Sequence, residues 1–105
     1  DSMPAQYWVK DRMLLYLWAG RLMLWTEQGA MEVERYVPEQ WQVHGDRLVY
    51  LDINRELRSM HISGKREQLA TESNISRFDL YGDAVVYPSP AGGVVVVCNR
   101  KRYTY

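Results

Sequence analysis

One short pattern, an aromatic, an aliphatic, a pair of aliphatics and a tyrosine, recurs three times in order and limits the fold more than any other property of the chain. Residues 9–17 (VKDRMLLYL) lie over residues 43–51 (VHGDRLVYL) at an offset of 34, so that Leu14 falls on Leu48, Leu15 on Val49 and Tyr16 on Tyr50. The second copy lies over residues 80–87 (LYGDAVVY) at an offset of 37, with Gly45-Asp46 on Gly82-Asp83 and Tyr50 on Tyr87. Two residues upstream of Val9, Val43 and Leu80 stand Tyr7, Trp41 and Phe78. Downstream, with one residue inserted in the turn, Leu22, Leu57 and Val94 align. A fixed period of this length marks a chain built from repeated supersecondary units. The reading is a single all-β repeat domain over residues 1–105, with units at about 7–40, 41–77 and 78–105.

Each unit reads as antiparallel strands. Residues 46–52 are β-branched and aromatic at the centre and meet a polar turn at Asn54. Residues 57–63 follow and stop at Gly64-Lys65, a turn signal. Residues 67–73 form a more polar fourth strand, suited to an edge. Residues 75–81 alternate as a strand should. Val94 to Cys98 is apolar at every position, which predicts a strand covered on both faces, with Cys98 a buried small hydrophobe. Arg12 to Trp25 is rich in Leu and Met and imitates a helix, but Gly20 at its middle argues for a hairpin.

Four strands per unit in tandem resemble β-propeller blades. The residues that carry the resemblance are 43–52, 57–62, 64–69 and 75–87. They look like blades of the TolB and dipeptidyl-peptidase propellers and, more distantly, of the low-density-lipoprotein-receptor type. The departures are that Tyr16-Leu-Trp-Ala and Tyr50-Leu-Asp-Ile stand where a Tyr-Trp-Thr-Asp motif would, and that no Trp-Asp dipeptide occurs. The resemblance implies a non-catalytic binding scaffold. A β-trefoil, also threefold, is the alternative fold.

About three blades are too few to close a ring, since propellers typically use 4–8. The third unit is expected to have a missing or short outer strand, with residues 103–105 its remnant. The open ends then call for a second copy, another chain, or further blades of a longer protein. In a dimer of this kind, a six-bladed ring, residues 1–6 would pair beside residues 103–105 of the neighbour.

Composition bears on partners. Thirteen Lys and Arg balance thirteen Asp and Glu, so no global charge draws the chain to nucleic acid or to an anionic membrane. Apolar runs are too short to span a bilayer as a helix. Cys98, His44 and His61 share no metal-ligand spacing, no phosphate loop or nucleophile motif occurs, and no cofactor is implied. Nothing points to an enzyme, and nothing identifies a compartment. Two features could bind. Trp18 and Trp25 flank the first hairpin turn and have no aromatic counterparts in the other units, which favours a surface role. Arg100, Lys101 and Arg102 sit together beside Tyr103 and Tyr105 and could grip an anion. The expected role is protein–protein interaction or self-assembly, with carbohydrate binding the alternative.

Overall fold

The computed structural model describes residues 6–105, so the pairing expected of residues 1–6 lies, but for Gln6, outside the described residues. Twelve strands form three sheets of four, each sheet a simple meander. The first contains β1 (Tyr7–Lys10), β2 (Met13–Trp18), β3 (Arg21–Thr26) and β4 (Gly29–Glu34). The second contains β5 (Trp41–His44), β6 (Arg47–Leu51), β7 (Leu57–His61) and β8 (Arg66–Gln68). The third contains β9 (Asp79–Tyr81), β10 (Ala84–Pro88), β11 (Val94–Cys98) and β12 (Lys101–Thr104). Each sheet is a propeller-like blade, and the three pack face to face in a body of 48 × 25 × 18 Å. No described strand pairs outside its own unit, which removes the trefoil, and residues 12–25 form the expected hairpin rather than a helix.

The repeat in the sequence is a repeat of backbone register. Val9 faces Leu14, Val43 faces Leu48 and Leu80 faces Val85, one position of the unit three times. Across the next pair of strands Leu17 faces Leu22, Leu51 faces Leu57 and Pro88 faces Val94, again one position. The approach to the first two blades is also shared: the Leu17 amide donates to the Gln6 carbonyl and the Leu51 amide to the Gln40 carbonyl, both at 3.1 Å, while Pro88 at this position of the third has no amide to donate.

Alternation along each strand sends neighbouring side chains to opposite faces of a blade. In the middle blade both faces are covered. Leu48 and Tyr50 pack with Met13, Leu15, Leu22, Leu24 and Val33 of the first blade. Val49, Leu51 and Leu57 pack with Phe78, Val85, Tyr87 and Val95 of the third. β6 is therefore buried on both sides, as a two-faced apolar strand should be. Trp8 and Trp41 meet edge to face between the innermost strands, with ring centres 5.1 Å apart.

The third blade departs from expectation in three respects. Its outer strand is neither missing nor short: β12 runs four residues, and the turn before it takes only Asn99 and Arg100, both with positive φ (52° and 66°). A two-residue turn of that hand matches the twist of its strands and restarts pairing at once. The valine run is covered on one face only: Val95 is fully buried, whereas Val94 is 43% exposed. Cys98 lies on the less covered side and is half-buried rather than core. Residues 75–81 yield a strand only at Asp79–Tyr81, although Ile75 and Phe78 are buried from the preceding loop. Likewise the edge strand expected over 67–73 is confined to Arg66–Gln68.

Candidate interaction surface

The first blade has one covered face and one open face. Strand alternation places Leu14, Tyr16 and Trp18 of β2 on the open side, opposite Trp25, Met23 and Arg21 of β3. Tyr7 and Val9 of β1 face Tyr16 and Leu14 and join the same surface. The exposure is large: Tyr7 65%, Val9 68%, Trp18 61% and Trp25 46%. Arg21 closes one corner with an ion pair to Glu32 at 3.3 Å. Scattered apolar residues on a surface are ordinary, but a contiguous apolar face marks an interface.

Register shows what such a face does elsewhere in the molecule. The counterparts of Leu14 are Leu48 and Val85, both buried against the preceding blade. Those of Trp25 are Met60 and Val97, which pack in the same two interfaces. Tyr7 corresponds to Trp41 and Phe78, and Val9 to Val43 and Leu80, packed likewise. The repeat aligns Tyr7 with two packed residues, which would make it core. It is exposed because among the described residues no blade lies against that face. Trp18 and Trp25, singled out from the sequence, are thus exposed and share one surface.

Polar clasps join the covered interfaces. The Tyr50 hydroxyl donates to Glu34 Oε2 of the first blade at 2.5 Å, and the Tyr87 hydroxyl donates to Glu72 Oε1 at 2.7 Å. Burial and the acceptor carboxylate both push these phenols up, Tyr87 to about 12. Glu72 also receives Arg102, whose hydrogen bond outweighs burial and, helped by Tyr87, brings the carboxyl down to about 2. Arg66 reaches back to the carbonyls of Glu32 and Val33, the latter at 2.7 Å. At the inner hairpins Asp11 accepts from the Gly45 amide at 2.7 Å, and Arg47 donates to the Asp83 carbonyl at 2.9 Å.

These clasps settle the positions of the C-terminal cations. Arg102 is held by Glu72 and Tyr87, and Arg100 pairs with Glu67 at 3.1 Å. Lys101 is exposed at the start of β12. The three therefore do not converge on one point; two of them tie the third blade to the second. A polar cleft of about 910 Å³ opens between these blades, lined by His44, Arg47, His61, Arg66 and Asp83 among others. Arg47 and Arg66 are already engaged there by backbone carbonyls.

Sequence reading missed Glu34 and Glu72. Glu32 and Glu34 look like one solvated strand face, but the register shifts between Leu22 and Met23. That bulge brings Glu34 opposite Leu22, on the side that meets the second blade. Glu72 lies past the end of β8, where no periodicity marks it.

A search of curated proteins found no match. Among solved structures, a chain in an assembly of S. cerevisiae Dbp5 bound to Nup159, Gle1, IP6 and ADP superposes with a TM-score of 0.63 at 14% identity. The match covers 94% of the present chain and 28% of that one, a likeness of fold. A family model described as a 10-bladed beta propeller domain matches residues 2–103. With three four-stranded blades in register and this match along nearly its whole length, the chain belongs to the 10-bladed β-propeller domain family.

Proposed function

We propose that the chain is a non-catalytic binding and scaffold module that works through the open face of its first blade, an interface for protein–protein interaction or self-assembly. The observation that carries this reading is positional. Tyr7, Val9, Leu14 and Trp25 on that face occupy register positions that, in the two following blades, pack between blades, whereas Trp18 corresponds to the polar Asp52 and Ser89. The resemblance of the blades to TolB, dipeptidyl-peptidase and receptor-type propellers, which act mainly as scaffolds, points the same way. So does the family description, which gives ten blades where this chain has three. Carbohydrate binding finds less support, because Trp18 and Trp25 lie across a sheet face and the counterparts of Trp25 are interface residues rather than repeated sugar platforms.

Light scattering and uptake of a hydrophobic dye test the proposal. At tens of micromolar the chain should self-associate or bind the dye through this face. Trp25→Glu should abolish both without lowering the melting temperature, since its side chain is already half exposed. A monomer that takes up no dye would overturn it.

A further inference from the structure

The two internal interfaces share a clasp that the open face has only half of. In each, a tyrosine from the second strand of one blade donates to a glutamate at the outer end of the blade before it: Tyr50 to Glu34, sixteen residues upstream, and Tyr87 to Glu72, fifteen upstream. Tyr16 occupies the same register position, facing Tyr7 as Tyr50 faces Trp41. Its side chain is half-buried on the open face, and its hydroxyl has no hydrogen-bond partner among the described residues. A phenol set among apolar side chains needs an acceptor once covered, because an unsatisfied buried hydroxyl is costly.

We propose that Tyr16 is the specificity-determining donor of a third clasp: the open face is a docking surface for a preceding β-blade of the same polypeptide that presents a carboxylate at its outer end. The inference rests on the reading of that face as an interface and adds the chemistry of its occupant. Three observations select it. Interface positions continue onto this face at Tyr7, Val9, Leu14 and Trp25, whose counterparts pack in both covered interfaces. Both existing clasps take their acceptor from upstream in the chain, and the backbone enters the first blade through Gln6 as it enters the second through Gln40. A second copy fits less well. Its third blade would present β12 and the residues beside it, 99–105, which contain three cations and no Asp or Glu to accept from Tyr16.

The test supplies a blade of known chemistry. A copy of residues 7–40 joined directly ahead of Tyr7, with the rest of the chain intact, puts a second Glu34 sixteen residues before Tyr16, the spacing seen for Tyr50. With Trp18→Phe and Trp25→Phe in the added blade, whose own first face nothing covers, docking should shield Trp18 and Trp25 of the original blade from acrylamide quenching. In this four-blade chain Tyr16→Phe should lower the folding equilibrium constant about tenfold, the scale of a hydrogen bond to a charged group. In the three-blade chain it should change nothing. Glu34→Gln in the copy should remove the effect, the double variant being no worse than either single one. If the tryptophans stay open to quencher, the face is no blade-docking surface and both readings fail. If they are shielded but Tyr16→Phe is silent, or additive with Glu34→Gln, the docking reading stands and the clasp is refuted. A dimer of the three-blade chain that shields Tyr16 would replace the proposed occupant with a second copy.

Discussion

Glu72 holds the third blade to the second twice over: it binds Arg102 and accepts from the buried Tyr87 hydroxyl. Its carboxyl titrates near 2 in the fold against an ordinary 4.5. A lowered folded value means that the stabilisation is complete above pH 4.5 and is lost as the pH falls toward 2. Tyr87 has the opposite sign, raised from 10.0 to about 12, so its contribution holds below pH 10 and is lost as the pH rises through 12. Glu72→Gln should therefore flatten the fall in melting temperature between pH 4.5 and 2, read by circular dichroism. An acid limb as steep as in the parent would show that other carboxylates govern it. The tyrosines of this clasp were legible in the sequence because they recur in register, whereas their acceptors were not. An acid on an edge strand reads as solvated until the neighbouring blade is in place.

At the level of strands and turns, the residues report what each face can accept, and only the assembly decides whether it is covered. Val94 to Cys98 is apolar on both sides, the composition of an interior blade, yet one side faces no neighbour among the described residues. The strand was legible and its surroundings were not. Short strands failed for a related reason: alternation would put Ile75 and Phe78 on opposite faces, but both enter one core from a loop, since burial of a side chain does not require a ladder partner. Turn chemistry sets finer limits. Gly93 sits at φ 85°, and a Cβ there would stand 2.3 Å from the Tyr105 carbonyl oxygen. Gly93→Ala should cost more than about 1 kcal/mol, from both strain and contact. It should also unpair Tyr105 from Val94, a loss visible as faster exchange of the Val94 amide. Unchanged exchange there would mean that the end of the third blade moves aside freely.

Across the whole molecule, stability is graded from the centre outward. The middle blade is covered twice and each outer blade once, so opening should begin at the ends, as in other stacks whose units touch only their neighbours. Hydrogen–deuterium exchange should find Leu48–Leu51 slowest and the amides of β1 and β12 fastest; uniform protection would indicate a single cooperative unit. Each sheet also begins and ends within one continuous segment, and none borrows a strand from another. A blade can consequently be duplicated or lost by joining the chain between Glu34 and Trp41, or between Gln68 and Asp79, without breaking any ladder. Gene duplication then changes ring size in whole steps of about 35 residues, and each new junction is compatible wherever the apolar register and the tyrosine–carboxylate pair are inherited together.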